Sequence, residues 1–96
     1  MSNTVEMKND VQELQKIVEE KIQEAQELIQ SDIKDGFAVD RMDAECVSLM
    51  ANVGLIRSKY ENRANTWKML HQSLQEIVRS LRRMHESINT ERRMCG

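Results

Sequence analysis

Proline is absent from this chain of 96 residues, glycine appears three times, and aromatic side chains make up 3 % of it. Each shortage excludes something. The tight turns of a many-stranded fold have few residues to form them, and the lack of aromatics removes good strand formers. What remains is a helical composition. No stretch approaches the roughly 18 uninterrupted apolar residues of a membrane span. The opening "MSNTVEMKND" has neither the basic nor the apolar segment of a secretory signal. The chain is therefore expected to be soluble and intracellular, and its length suits a single domain, residues 1–96. The two cysteines, Cys46 and Cys95, have no companions at metal or disulfide spacing and read as free thiols.

Charge is plentiful, at 31 % of residues, and it is unevenly placed. Residues 1–50 carry 5 basic and 12 acidic side chains, and residues 51–96 carry 9 and 4, so a net charge of -2 hides halves of -7 and +5. Halves of opposite sign favour folding one on the other, or pairing with a copy or a partner, through an attraction that salt weakens.

Apolar residues at Met7, Val11, Leu14, Val18, Ile22, Ala25, Ile29 and Ile33 recur every three or four positions and draw one face of a helix, predicted over about residues 5–34. "QSDIKDGFAVD" breaks the rhythm. Asp35-Gly36 is a turn signal, Gly36 can close a helix in the left-handed conformation, and Asp40 can cap a second helix with Asp43 reaching back. The turn is placed at 35–39 and the second helix at about 40–93. Along it, Cys46, Val53, Tyr60, Trp67, Leu74, Leu81 and Ile88 take one seam position of a heptad. Met42, Leu49, Ile56, Arg63, Leu70, Ile77 and Met84 take the other, so of fourteen seam positions only Arg63 is not apolar. Gly54 suggests a bend or a close helix crossing.

The expected fold is all-α: an antiparallel helical hairpin of the coiled-coil type with a long second helix. The first helix, about 29 residues, covers the second only to about Trp67 and leaves about 25 residues, roughly 37 Å, without cover. Leu70, Leu74, Ile77, Leu81, Met84 and Ile88 would then form an apolar strip too large for a monomer, and they are predicted to bind another chain. Two other arrangements fit the pattern. One is a continuous helix from Val5 to Met94 in an intermolecular coiled coil. The other breaks the second helix near Asn62 to Asn65, where "ENRANT" is weakly helical, and closes a three-helix bundle of spectrin-repeat type that needs no partner.

Residues that could carry chemistry are few. His71 and His85 are four helical turns apart, about 21 Å, too far to share a metal ion. Cys46 sits on the seam, as a buried thiol would. There is no Gly-rich phosphate loop and no nucleophile with a base at useful spacing. The acidic residues Glu13, Glu19, Glu20, Glu24 and Glu27 read as a solvated helix face. Neither an enzyme, a metal site nor a cofactor is expected. Arg79, Arg82, Arg83, Arg92 and Arg93 are interleaved with the apolar seam instead of preceding it as in basic-zipper proteins, which argues against nucleic acid. Arg63, Arg79, Arg82 and Arg83 are assigned instead to setting the register and orientation of a partner helix. Met42, Met50, Met69, Met84 and Met94 suit either a tolerant interface or ordinary core filling.

The segment "MLHQSLQEIVRSLRRMHESINTERRM" is similar to the C-terminal helices of the snapin-like and KxDL-like small subunits of the lysosome-related-organelle biogenesis and lysosome-positioning complexes. It departs at the naming motif, where His71 and Ser73 replace Lys and Asp. "ELQKIVEEKI" followed by "HQSLQEIVRSL" resembles the N-terminal hairpin of the spindle-and-kinetochore-associated complex. Either resemblance implies a small helical subunit that is inactive alone and assembles with other helical chains. The expectation is therefore a non-catalytic assembly subunit, cytoplasmic and at organelle surfaces. It would act as an organelle-trafficking adaptor, with a kinetochore or spindle scaffold, or a self-contained three-helix module, as the alternatives. Its partners are expected to be other helical chains in a hetero-oligomer rather than a homo-oligomer, with no small-molecule substrate and contact with membranes only through those partners.

Overall fold

Close to the one seam position that the sequence gives to a charged residue, Arg63, the second helix stops. A computed structural model of the chain describes the backbone of residues 2–31, 36–61 and 64–95, and the side chains of 5–31, 36–61, 68 and 70–93. It contains three helices: α1 (Ser2–Gln30), α2 (Gly36–Tyr60) and α3 (Ala64–Cys95), with no strand among the described residues. The single long helix expected over about 40–93 is therefore two. The reason lies in the sequence around the break. Asn62 before α3, and Asn65 and Thr66 in its first turn, are weak helix formers. A continuous helix would also carry Arg63 on its apolar seam and leave α3 without cover.

The second helix also begins earlier than expected. Gly36 is its first residue and does not have a positive φ, so it does not close α1 in the left-handed conformation. Asp40 and Asp43, expected at a cap, lie inside α2, because Val39 and Met42 already sit at core spacing and draw the first turn into the bundle. Asp35 lies outside the described residues, as does Ile33. At its own end α1 has neither a basic residue in the last turn nor a glycine after it, and a Ser31 N–H to Leu28 carbonyl bond of 3.2 Å tightens the final turn. The other two helices end with basic residues, Arg57 and Lys59 in α2 and Arg92 and Arg93 in α3, which favour a helix C-terminus.

The three helices run to 29, 25 and 32 residues, and at 1.5 Å per residue these are rods of about 38–48 Å in a molecule of 50 × 17 × 17 Å. Each therefore covers the other two along most of its length, and the length mismatch behind the expected overhang disappears. All three pairs of helices touch. Bonds between the helices show their directions: Lys59 and Tyr60 at the end of α2 meet Asp10 near the start of α1, and Arg92 at the end of α3 meets Asp40 near the start of α2. Neighbours in sequence thus run in opposite directions.

One core fills the axis. From α1 come Met7, Val11, Leu14, Val18 and Ala25, and from α2 Val39, Met42, Cys46, Leu49, Val53 and Tyr60. Ile22, Leu28, Ile56 and Val78 pack against this core from its edges. From α3 come Leu70, Leu74, Ile77, Leu81, Met84 and Ile88, each at most 4 % exposed. These six are the residues predicted to bind another chain. Their burial here is intramolecular, at about 1.5–3 kcal/mol for each large side chain removed from water, so the exposed strip on which that prediction rested does not exist. In α3 the steps between core residues alternate four and three, and the next step reaches Glu91, a carboxylate side chain buried on the same line. The coarse expectation, an all-helical bundle, holds.

Candidate docking surface

The three outer faces of the bundle differ in chemistry. α1 carries seven acidic and three basic side chains, α3 six basic and three acidic, and α2 three of each. On α1, Glu13, Glu19, Glu20, Glu24 and Glu27 are all exposed, and on α3 so are Lys68, Arg79, Arg82, Arg83 and Arg93. The charge asymmetry of the sequence thus becomes an acidic side and a basic side of one rod. Arg79, Arg82, Arg83 and Arg93 make no ion pair among the described residues, whereas Arg92 turns to α2 and reaches Asp40 at 2.8 Å and Asp43 at 3.3 Å. Arg63 lies outside the described residues.

Between the charged sides lies α2, whose outer face is apolar or small. Phe37 is 78 % exposed, Val47 58 %, Met50 36 % and Leu55 68 %, and Ile17 of α1, beside Leu55, is 38 % exposed. At 100° per residue, Ala44, Val47, Ser48, Ala51, Leu55 and Ser58 fall on the side of α2 opposite Met42, Cys46, Leu49 and Val53, and all six are exposed. Gly54 joins them. A β-carbon built there would meet nothing within 4 Å, so the close crossing that this glycine suggested is not made within the chain. Through residues 44–58 the only charged side chains are Glu45 and Arg57, and both lean away from this face, Glu45 toward Lys21 of α1 at 3.4 Å.

A shallow groove follows each border of α2. One is lined by Asp10, Glu13, Leu14, Ile17, Asn52, Leu55, Ile56 and Lys59, and so has apolar walls and an acidic rim. The other is lined by Cys46, Val47, Met50, Leu81, Arg82 and His85, with a basic rim. Each border is anchored by ion pairs. At one end Lys59 reaches Glu6 at 2.8 Å and Asp10 at 3.1 Å, and the Tyr60 hydroxyl donates to Asp10 at 2.6 Å. The Tyr60 bond, more than the nearby Lys59, holds the Asp10 carboxyl below its ordinary range, while burial first and Asp10 second push the Tyr60 phenol up. The hydrogen bond to Glu6, then that to Asp10, raises the Lys59 ammonium. At the other end Asp43 takes His85 Nε2 at 2.9 Å as well as Arg92.

The histidines are separate, as their spacing required: His71 pairs with Gln75 at 3.1 Å, and His85 with Asp43 and, at 3.4 Å, Asn89. Cys46 is buried on the seam, and its thiol donates weakly to the Leu81 carbonyl at 3.4 Å. Burial, and then the charge of Asp43, raises its pKa, which makes it a poor nucleophile. The side chain of Cys95 lies outside the described residues.

Sequence reasoning missed Val47, Ala51 and Leu55, and named Met50 only among the methionines that suit a tolerant interface or core filling. The signal was available in what the heptad left over, since once the seam residues of α2 are removed, the remainder between Ala44 and Ser58 is nearly uncharged. Among the described residues no helix is long and apolar enough to cross a membrane. Comparison with known proteins adds no assignment: no family model, no curated protein and no solved structure matches this chain.

Proposed function

We propose that this chain is a non-catalytic helical interaction module, an assembly subunit that binds other protein through the outer face of α2. One observation supports this reading above the others: Val47 and Leu55 lie exposed on the back of α2, with Met50 and Ile17 exposed in the grooves on its two borders, between an acidic side and a basic side, although the chain has closed its core elsewhere. Exposed apolar patches rimmed by polar residues mark interaction surfaces. The proposal keeps the expected class of function and moves its site, from the inner seam of α3 to the back of α2. Within that class, the organelle-trafficking adaptor is carried forward on the resemblance of the last helix alone. A tagged copy found at lysosomal and endosomal puncta, and not at mitotic spindle foci, checks that narrower reading.

The test of the surface is a pair of substitutions that the fold should tolerate, Val47→Glu and Leu55→Glu. Proteins co-purifying with the tagged wild-type chain are expected to be lost from the double variant while its circular dichroism stays that of the wild type. An unchanged set of co-purifying proteins would refute the assignment.

A further inference from the structure

We infer that the outer face of α2 seats a second copy of this chain, related by a two-fold axis parallel to the helices, so that the two α2 helices lie side by side and point the same way. The inference rests on the docking surface proposed above and names its occupant. It departs from the hetero-oligomer that the sequence led us to expect.

Charge and height along the rod both favour this pairing. Asp10 and Lys21 of α1 reach α2, and at 100° per residue Glu13, Glu20 and Glu24 fall on that same side, giving the apolar face a border that is acidic on balance, with Glu24 also 3.3 Å from Lys21 of its own helix. His85 and Arg92 of α3 reach α2 from the other side. Arg82 lines the groove with Val47 and Met50, giving a basic border, and Arg79, one turn before Arg82, stands further round on the back of α3. A rotation of 180° about an axis along the rod brings the acidic border of each copy opposite the basic border of the other. The heights also agree. The Lys21–Glu45 pair sets Lys21 level with the middle of α2, and the Cys46–Leu81 bond sets Leu81 at the same height. Glu20 and Glu24 of one copy therefore stand level with Arg79 and Arg82 of the second copy, and these arginines have no ion pair of their own among the described residues.

An axis running across the helices gives the opposite result. It would lay α1 against its own copy, acid on acid, and α3 against its own copy, base on base, a juxtaposition that complementary interfaces avoid. Between the borders, Ala44, Ser48, Ala51 and Ser58 keep the centre of the face low, so two α2 backbones can approach closely while Leu55 and Val47 of each copy cover the other.

The experiment uses the whole chain. Sedimentation from about 1 μM to about 1 mM is expected to show a monomer passing to a dimer. Leu55→Glu should weaken that association by roughly 100-fold or more. Single cysteines placed at Ala44, Ala51 and Ser58 in a Cys95→Ser background then report direction. With the axis along the helices each variant forms a disulfide with itself on oxidation. With the axis across them Ala44→Cys and Ser58→Cys link only when mixed, a result that would overturn the inference. Glu20→Arg with Glu24→Arg should weaken the dimer roughly tenfold, and adding Arg79→Glu and Arg82→Glu should restore it. Failure of that restoration counts against the arrangement. A chain that stays monomeric throughout, yet loses its co-purifying proteins with Val47→Glu and Leu55→Glu, overturns the second copy and leaves the docking surface standing. Association that ignores Leu55→Glu overturns both.

Discussion

α3 and α2 lie in the same bundle and dispose of their apolar residues in opposite ways. In α3 the large apolar side chains Leu70, Leu74, Ile77, Leu81, Met84 and Ile88 stand on one inward line, and the opposite side is Lys68, Gln72, Arg79, Arg82 and Arg83. In α2 a line just as regular faces inward, and a second group, Val47, Met50 and Leu55, faces out. A helix with one apolar line is finished once that line is covered, whereas a helix with two keeps an apolar back in water after its core has closed. Function in this molecule should therefore be sought on the helix with apolar residues on both sides.

Damage to the inward line and damage to the back of α2 should have different outcomes. Leu81→Ala, at a position with no exposure, should lose about 2–5 kcal/mol of stability in urea titration. Leu74→Glu with Leu81→Glu should unfold the chain instead of merely releasing a partner. Leu55→Glu, by contrast, should stay within about 0.5 kcal/mol of the wild type. Equal losses from the two faces would show that the back of α2 is structural.

A smaller effect is expected where the end of α2 meets α1. Tyr60→Phe removes the hydroxyl that donates to Asp10 and should cost about 1.5–3 kcal/mol near neutral pH, the range for a bond to a charged acceptor. The pH dependence has a definite sign. Asp10 is depressed below its ordinary 3.8, so its contribution is full above that value and is lost as the pH falls through the lower folded value. Tyr60 is raised above 10.0, so its contribution holds below that value and is lost as the pH rises through the higher folded one. The gap between wild type and variant in denaturation midpoints should close at both extremes.

Gly54→Ala should go the other way and stabilise the monomer by about 0.5–1 kcal/mol, because the added methyl meets open space and helical glycine carries an entropic penalty. Thermal melting checks it, with a rise of about 4–8 °C per kcal/mol at this size. The smallest change belongs to Arg92→Ala. It removes exposed pairs to Asp40 and Asp43, should shift stability by about 0.2–1 kcal/mol, and should lose that difference in high salt.

The inward lines of all three helices were legible in the sequence, because a step of three or four residues is a direct image of a covered face. Val39 was missed in α2 because the expected turn was drawn over it. The break after Tyr60 was also in view, in Asn62, Arg63 and Asn65, but continuity of the heptad outweighed it. The physical balance favours the break: closing a short turn costs little chain entropy, and α3 then buries six large side chains without waiting for a partner. The back of α2 was not legible in the same way. Val47 and Leu55 look like scattered apolar residues until it is known which side of α2 is covered, and that depends on where α1 and α3 lie.

Three apolar lines of this kind can close in either of two mirror-related windings, left-turning or right-turning, with nearly the same oil-filled centre. The fastenings on α2 distinguish them, since Lys59 and Glu45 reach α1 while Asp40 and Asp43 reach α3. In the mirror winding those two aspartates would confront the carboxylates of α1 and Lys59 would turn toward the cationic helix. The surface pairs, individually weak, thus lean toward the observed handedness, against the one carboxylate, Glu45, that the mirror winding would bring to the cationic helix.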